Sequence, residues 1–333
     1  MDTPRALVLE RRDDRVEAAV RRISESQLPD GDTVVDVRFS SLNYKDALAV
    51  TGEGKIVRGS YPFVPGIDLV GQVRSCTSEA FQPGDWVIGT GWGLGETQWG
   101  GYAQVQCVPA DHLVRLPDGL SPEAAMVAGT AGLTAMLAVR DLASRGLSPD
   151  RGDVVVTGAS GGVGSFAVAL LAAEGYSVEA STGSESARPY LERLGAARVI
   201  DRAELSSGAS KLLDSARWAA AVDVVGGRTL EGILSRLDRY GAVAACGLAG
   251  GHEIHTTVYP FILRGISLLG IDSNTCPNVI RDQAWNALAN RLTDALVREI
   301  RAEVISLEDI PTYSRRMLSG AVQGRIVVDL NVA

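Results

Sequence analysis

The strongest chemical signal in the sequence is a glycine-rich turn between a strand and a helix. The apolar run 154–156 leads into TGASGGVG, in which Ala159, Gly161 and Gly164 occupy the small-residue positions of a G-x-G-x-x-G pattern. Small residues there let the chain turn sharply and let backbone amides reach a diphosphate at the helix N-terminus. The flanking strand and helix are the context this pattern needs, and the alternative is a tight turn that binds nothing. The residues predicted to contact the diphosphate are Ser160, Gly161, Gly162 and Val163.

The choice of dinucleotide is decided at the end of the following strand. NAD-selective folds carry Asp or Glu there, about 20 residues on, to bind the ribose hydroxyls. This sequence has Thr182, Gly183 and Ser184 instead. Without an acid, a 2′-phosphate meets no repulsion, and the hydroxyls together with Arg188 are candidates to bind it. We therefore predict NADPH as the cofactor. A shift of one position in the strand phase would bring Glu179 to this place.

Residues that ligate metals are few and scattered. The four cysteines stand at 76, 107, 246 and 276, too far apart for a C-x-x-C pair. His252 and His255 lie close together in GGHEIH and would form one edge of a metal site. The alternative is two polar residues in a loop or strand. We predict that the protein uses no metal.

Composition and charge exclude several classes of protein. The chain has 333 residues, 46% apolar and 22% charged, which is ordinary for a soluble protein of about two domains. Its net charge of −8 lowers the expectation of nucleic-acid binding. The first residues hold no apolar run of signal-peptide length, and no stretch approaches the about 18 apolar residues of a membrane span. We expect a cytoplasmic protein with neither a nucleic-acid nor a membrane partner.

The predicted secondary structure that must position these residues changes along the chain, from short strands to alternating strands and helices. Residues 5–115 hold short strands separated by Gly, Pro and Asp, which is typical of a barrel or sandwich. A helix starts near Ser121 and Pro122, and strands then alternate with helices, as in a doubly wound parallel sheet. Residues 278–301 have helical periodicity, and the last strand returns to the first region. The predicted domains are 1–120, 121–273 and 274–333.

A second glycine-rich segment lies in the β-rich region. Residues 89–101 read GTGWGLGETQWGG and carry two tryptophans. Two structures fit this composition: a flexible loop that lines a pocket, or a hairpin whose indole rings cover the barrel.

Several blocks of the sequence resemble one known family. They run in order from residue 40 to residue 273, and QGRIVV near the end extends the match: SSLNYKDALAVTGEGKIVRGSYPFVPGIDLVG, TGWGLGETQWGGYAQ, GTAGLTAML, VVTGASGGVGS, AACGLAGG and PFILRGISLLGIDS. The chain resembles the acrylyl-CoA reductase branch of the quinone-oxidoreductase-like enzymes, within the zinc-free medium-chain dehydrogenase/reductase superfamily. The resemblance implies an α/β fold class, with a Rossmann doubly wound parallel sheet and a β-rich GroES-like catalytic domain.

The resemblance also implies an activity. It is the NADPH-dependent reduction of the carbon–carbon double bond of acryloyl-CoA to propanoyl-CoA by a homodimer. In zinc alcohol dehydrogenases of the superfamily, three catalytic ligands correspond to Asn43, Ile67 and Thr130 here. Ile67 cannot ligate, and Asn and Thr are poor zinc ligands beside Cys and His. Metal-assisted alcohol oxidation is therefore disfavoured.

Conjugate reduction needs a nicotinamide against the β-carbon, donors for the thioester oxygen and a proton for the α-carbon. By resemblance Asn43 offers an amide donor to the carbonyl. Tyr44 offers a phenol to the substrate or the nicotinamide ribose, and Asp68 orients Asn43 or a water. The alternatives are a turn before a helix for Asn43, a core position for Tyr44, and a cap or an ion pair with Lys45 or Arg74 for Asp68.

Further contacts are implied by the resemblance alone. Leu248 and Ser273 are placed near the nicotinamide, and Arg325 is a candidate phosphate partner. The family carries Ser-Gly-Arg where this chain has Thr182-Gly183-Ser184, so the family's arginine is absent and Arg188 would replace it. The apolar segment PFILRGISLLGID is predicted to pair edge to edge in the homodimer; the alternative is an internal strand of the sheet.

Two other functions fit the same residues. The first is an NADPH quinone or enone reductase, which would need a flat apolar pocket and no site for CoA. The second belongs to another class, a non-catalytic NADPH-binding regulatory protein.

Overall fold

The computed structural model describes residues 3–13, 15–209 and 211–332. The chain forms two compact units. The first unit comprises Met1–Leu133 and Ser273–Ala333, and the second comprises Thr134–Asp272. The sequence predicts boundaries after residues 120 and 273, whereas the units divide after residues 133 and 272.

The strands of the described chain are short. In chain order they are β1 Arg5–Arg12, β2 Arg15–Arg22, β3 Thr33–Leu42, β4 Asp68–Cys76, β5 Trp86–Thr90, β6 Val105–Val108, β7 Leu113–Arg115, β8 Val154–Val156, β9 Val178–Thr182, β10 Arg198–Asp201, β11 Trp218–Asp223, β12 Leu237–Ala245, β13 Ser267–Gly270, β14 Arg301–Ile305 and β15 Arg325–Asp329. The α-helices are α1 Tyr44–Thr51, α2 Pro122–Ser144, α3 Gly162–Ala173, α4 Arg188–Arg193, α5 Ala203–Ser206, α6 Gly227–Arg236, α7 Tyr259–Arg264, α8 Asn278–Ala289, α9 Asp294–Ile300 and α10 Ile310–Leu318.

The first unit is built on a mixed sheet that joins both ends of the chain. Its strand order is β14-β15-β3-β4-β5-β7, with β6 paired to β3, and β1 and β2 form a separate antiparallel pair. The last strand, β15, lies antiparallel to β3 with Ile326 opposite Leu42. This register brings Arg325, at the start of β15, beside Asn43, the residue after β3's last residue.

The second unit is a parallel sheet in the order β10-β9-β8-β11-β12-β13. Counted from β8 this is the 3-2-1-4-5-6 order of the Rossmann fold, with the reversal of direction between β8 and β11. The residues of β8 are fully buried valines, as expected for a strand covered on both faces. Because all strands are parallel, their carboxyl ends share one edge of the sheet, which is where such folds bind ligands.

One helix is interrupted at a glycine. Helix α2 begins with the predicted cap, in which Ser121 Oγ accepts the Ala124 amide at 3.1 Å. Gly129 has non-helical φ and ψ of 50° and −153°. A Cβ at Gly129 would collide with side-chain atoms of Asp68, Ser41 and Arg325. Glycine is therefore required where the helix meets these polar groups.

The same helix corrects one expectation from the sequence. By length and composition α2 is apolar enough to cross a membrane, with a mean hydropathy of 1.3 over 18 residues. However, 83% of that window is buried inside the protein, and Gly129 breaks the helix. It is therefore a core helix.

The glycine-rich segment 89–101 is neither a loose loop nor a simple hairpin. Trp92 has a left-handed backbone with φ of 55° and stacks on His112, with ring centroids 5.3 Å apart. The Trp92 amide donates to Asn274 O at 2.8 Å, and Trp99 packs against the core. Gly91, at φ of 77°, has no room for a Cβ beside Asn274. The segment is thus packed through both tryptophans and fixed in place.

Candidate active site

A buried polar network lies where β3, β4, α1, α2 and β15 meet. At its centre is Asp68, the fully buried first residue of β4. Its Oδ2 accepts the Ser41 hydroxyl at 2.5 Å and the Thr130 amide at 3.0 Å, and its Oδ1 accepts the Thr130 hydroxyl at 2.5 Å. Arg325 Nη2 lies 3.7 Å from Oδ2. Asp68 is therefore paired with neither Lys45 nor Arg74, which bind other carboxylates.

Asn43, the cap residue of α1, links two carboxylates. Its Nδ2 donates to Asp46 Oδ2 at 3.0 Å and to Asp68 Oδ2 at 2.9 Å, and its Oδ1 accepts Arg325 Nη1 at 3.0 Å. A primary amide has only two N–H groups. Both are engaged here, so the geometry does not support Asn43 as a donor to a substrate carbonyl. The contact with Asp68 agrees with the prediction that Asp68 orients Asn43.

Asp46 is a member of this network that the sequence analysis missed. Its carboxylate accepts the amides of Asn43 and Ile67, each at 2.9 Å. Burial, and then the neighbouring charge of Asp68, raise the pKa of Asp46 from 3.8 to about 7. The signal was the capping-box spacing N-x-x-D at the start of α1. That spacing is common in helices and does not by itself reveal a second buried carboxylate.

Arg325 does not lie where a cofactor phosphate could reach it. The guanidinium is buried and donates to Val127 O at 3.0 Å, Asn43 Oδ1 at 3.0 Å and Ser41 Oγ at 2.8 Å. Burial lowers the pKa of Arg325, and the carboxylate of Asp68 opposes that effect. The prediction of a phosphate contact is corrected: this cation balances the buried carboxylates.

Tyr44 is the one of the three predicted catalytic residues that solvent reaches. It is 51% exposed at the first position of α1, which excludes the core alternative. Its phenol has no hydrogen-bond partner among the described residues. The buried hydrogen bonds of the network thus fix the start of α1. Tyr44, at the first position of this helix, has an exposed O–H that can donate to a ligand.

No metal-binding cluster is seen in the described part of the chain. Groups of three or more His, Cys, Asp or Glu placed to hold an ion are absent from it. His252 and His255 are exposed, and His255 lies 3.4 Å from Glu231.

In the second unit, the glycine turn after β8 has the shape that a dinucleotide diphosphate requires. Helix α3 begins at Gly162 with Gly161 as its cap, and no side chain caps it. Its first N–H groups are therefore available to an anion. Gly164 packs against the backbone of Gly158 and Ala159 with no space for a Cβ. The turn fits the predicted cofactor.

Thr182 lies at the carboxyl end of β9, as the sequence predicts for the position that selects the cofactor. Its hydroxyl is 3.1 Å from Ser160 Oγ in the glycine turn and accepts the Ser184 amide at 3.2 Å. Glu179 does not take this place. It is buried and accepts Trp218 Nε1 at 2.9 Å and Arg217 Nη2 at 2.8 Å.

The sequence assigns the 2′-phosphate to Arg188, but the structure places another arginine, Arg202, at the end of β9. Arg188 is held by Glu185 at 3.1 Å and by Val199 O at 3.3 Å. Arg202 instead lies over Gly183, where a Cβ would be 2.5 Å from its Nε. Its exposed guanidinium has no partner among the described residues.

The position of Arg202 follows from the register of the sheet, which the sequence alone does not give. Because β9 and β10 are parallel with Thr182 opposite Asp201, the residue after β10 lies beside Gly183. Arg202 is therefore the cation that can bind an anion at the end of β9.

The two remaining predicted contacts lie in different units. Leu248 is exposed just after β12, at the edge of the sheet that carries the glycine turn. Ser273 belongs to the first unit, where its carbonyl accepts Arg281 Nη2 at 3.2 Å.

Comparison with known proteins identifies the family. Residues 29–118 match the family model "Alcohol dehydrogenase GroES-like domain", and residues 162–290 match "Zinc-binding dehydrogenase". The chain is 48% identical to the probable acrylyl-CoA reductase AcuI of Escherichia coli (strain K12), over 98% of this chain and 99% of that protein. It is 47% identical to the acrylyl-CoA reductase AcuI of Ruegeria pomeroyi, with the same coverage.

Solved structures agree. The yhdH oxidoreductase of Salmonella enterica in complex with NADP superposes with a TM-score of 0.96 at 48% identity, covering 98% of this chain and 100% of that one. Bacillus subtilis protein yhfP with NAD bound gives 0.95 at 45% identity, covering 99% and 100%.

These matches define the class first: the chain belongs to the medium-chain dehydrogenase/reductase superfamily, with a GroES-like and a Rossmann-type region. Within that superfamily it belongs to the acrylyl-CoA reductase branch, because the full-length relatives at 47–48% identity are members of it. The resemblance and the fold class predicted from the sequence are confirmed.

The buried carboxylates make stability depend on pH in a specific way. Below about pH 7 the folded protein holds a proton on Asp46. The stabilisation that this proton gives to the folded state is complete below the unfolded pKa of 3.8 and is lost as the pH rises through about 7. We expect the unfolding free energy of the wild type, relative to Asp46→Asn, to fall by about 2–4 kcal/mol from about pH 4 to about pH 8. Urea denaturation across this range measures it.

The matched control is Asp118→Asn, which removes an exposed carboxylate. This variant should follow the wild-type pH profile. A difference between wild type and Asp46→Asn that stays constant with pH would contradict the titration of Asp46.

Proposed function

We propose that the protein reduces the carbon–carbon double bond of acryloyl-CoA to propanoyl-CoA with NADPH in the cytoplasm. The observation that carries the proposal is the 47–48% identity, over almost the full length, to proteins named acrylyl-CoA reductases. When bound, NADPH supplies the hydride that forms the new C–H bond at the β-carbon, and a proton completes the α-carbon.

The preference for NADPH is supported by the end of β9. Thr182 there offers no carboxylate to the ribose, and Arg202 places an unpaired guanidinium over Gly183. A 2′-phosphate is a good partner for a guanidinium and would be repelled by an acid. The related yhdH structure holds NADP, whereas yhfP holds NAD, so both cofactors are found among relatives.

The first unit positions Tyr44 for the chemistry. Asn43, Asp46, Asp68 and Arg325 fix the first turn of α1 through hydrogen bonds that are all buried. Tyr44 then donates its exposed O–H to the thioester oxygen, which stabilises the negative charge that develops there during reduction. In this proposal Asn43 and Asp68 are positioning residues, because their polar atoms are engaged with each other and do not reach the substrate.

The substrate class can be tested by steady-state kinetics. We expect kcat/KM with acryloyl-CoA and NADPH to exceed that with free acrylate or with a benzoquinone by at least about 100-fold, since neither of these carries the CoA group. The opposite order with benzoquinone would favour the quinone reductase. Tight NADPH binding without turnover of any enoyl thioester would favour the non-catalytic function.

Cofactor choice gives a second test with a matched pair of arginines. Losing one charge-assisted contact to the 2′-phosphate in Arg202→Gln should raise KM for NADPH by about 10- to 100-fold and leave KM for NADH unchanged. Arg188→Gln should alter neither value, because Arg188 is held by Glu185 and Val199 O. An NADPH defect in Arg188→Gln with none in Arg202→Gln would reverse the assignment.

We also propose a homodimer, built through the edge strand β13. This strand pairs with β12 on one side, and its Leu268 is 37% exposed. Helix α7, which precedes it, exposes Tyr259, Ile262 and Leu263. An apolar edge strand of this kind is a site for isologous pairing.

Light scattering tests the assembly. The wild type should have twice the chain mass of 35.1 kDa. Leu268→Lys should give the monomer mass, because charges on an edge strand oppose pairing. The control Val304→Lys changes an exposed position on β14 and should remain dimeric. A wild-type monomer at micromolar concentration would contradict the dimer.

A further inference from the structure

Two cations contact one buried carboxylate, and a third cation lies on the loop that carries one of them. We call Lys45, Lys55 and Arg58 the cationic cluster. Glu96, from the glycine-rich segment, has a side chain only 8% exposed. Lys45 Nζ lies 2.8 Å from Glu96 Oε1, and Arg58 Nη2 lies 2.7 Å from Glu96 Oε2. One carboxylate thus fixes two cations at once.

Backbone hydrogen bonds also join the loop after α1 to Glu96. The amides of Arg58 and Gly59 both donate to Glu96 O, at 2.7 and 3.2 Å. Lys45 follows Tyr44 in the first turn of α1, the turn that the buried network fixes. Three segments therefore converge at Glu96: α1, the loop after α1 and the glycine-rich segment. Glu96 therefore holds Lys45 and Arg58 in place.

Most of the donors in this cluster are not used by Glu96. An ammonium has three N–H groups and a guanidinium five. The side chains of Lys45 and Arg58 are still 39% and 59% exposed. Lys55 is exposed and has no partner among the described residues. With the exposed Glu53 of the same loop counted, the three cations exceed the two carboxylates, so the place keeps a positive charge.

This excess is unusual in the chain as a whole. The protein has a net charge of −8 and only three lysines, of which Lys45 and Lys55 stand here and Lys211 stands in the other unit. A structural ion pair for Glu96 would need one cation. Here Glu96 binds two cations, Lys45 and Arg58, and the loop of Arg58 carries a third, Lys55.

We propose that Lys45, Lys55 and Arg58 bind the phosphate groups at the nucleotide end of coenzyme A. The inference rests on the proposed function. It adds a binding site for the phosphate groups of the substrate, to which the proposed function assigns no residues. Arginine binds phosphate through paired N–H groups, and lysine binds it as a point charge. The pantetheine arm separates these phosphates from the double bond, so the cluster contributes binding energy without touching the reacting atoms.

The experiment compares two thioesters in four proteins. Acryloyl-CoA carries the phosphates, and acryloyl-N-acetylcysteamine has the same reacting group without them. The double variant Lys55→Gln/Arg58→Gln keeps the Lys45–Glu96 pair, and Lys211→Gln is the matched control. In the double variant we expect KM for acryloyl-CoA to rise about 10- to 100-fold, as for the loss of charge-assisted contacts.

Other parameters separate binding from a structural defect. In the double variant kcat, KM for the truncated thioester and KM for NADPH should stay at wild-type values, and Lys55→Arg/Arg58→Lys should restore KM for acryloyl-CoA. KM for acryloyl-CoA should also depend less on salt than in the wild type. An equal rise for both thioesters, a rise in KM for NADPH, or an unchanged KM for acryloyl-CoA would overturn the proposal.

The wild type distinguishes this inference from the proposed function. If it reduces neither thioester, the proposed function fails. If it reduces both with the same KM, the proposed function stands and the phosphate site is overturned.

Discussion

The first unit depends on a single electrostatic constraint: Asp46 and Asp68 are both buried, and their charge is compensated by protein groups and by the proton that Asp46 holds below about pH 7. A buried carboxylate is tolerated only when hydrogen bonds and opposite charge replace its hydration. Asn43 supplies two N–H groups to the pair, and Arg325 supplies the cation. These residues come from α1, β4 and β15, so the pairing of the last strand with β3 is needed to complete the charge balance. The return of the chain end to this unit is thereby a requirement of the site.

The same constraint involves the three positions that, by the family resemblance, correspond to zinc ligands elsewhere in the superfamily. A metal there would cross-link the surrounding elements by coordination. In this chain Asn43 and Thr130 donate hydrogen bonds to Asp68, and Ile67 donates its backbone amide to Asp46. The donor set is one that binds carboxylates, and it is poor for Zn²⁺. The elements are held together by amide, hydroxyl and guanidinium groups, and the exposed Tyr44 is what they present to a ligand.

The features that could be predicted from the sequence are those encoded within one contiguous segment. The glycine turn, with its strand and helix, reads as one motif, and Thr182 follows at the spacing of the next strand. Asp46, Arg202 and the buried position of Arg325 depend instead on which strands pair and in which register. An N-x-x-D spacing or an arginine after a short strand occurs in many proteins without such a role. The family resemblance suggested Arg325 as a phosphate partner and could not show that its side chain is buried beside Asn43 and Ser41.

The charge distribution sets how an acidic protein can bind two polyanions. A net charge of −8 gives no long-range attraction for a nucleotide, and salt screens charges beyond about 8 Å in any case. A bound nucleotide must therefore be attracted by cations within contact distance whose N–H groups are not already used in ion pairs within the protein. Most arginine side chains in the described chain already bind a group of the protein, as Arg188 binds Glu185 and Arg325 lies beside Asp68. Arg202 at the end of β9 has no partner among the described residues, and Lys45, Lys55 and Arg58 together carry more charge than Glu96 neutralises. Each unit thus carries its own exposed cations: Arg202 lies at the strand end that selects the cofactor, and the cationic cluster lies on α1 and the loop after it.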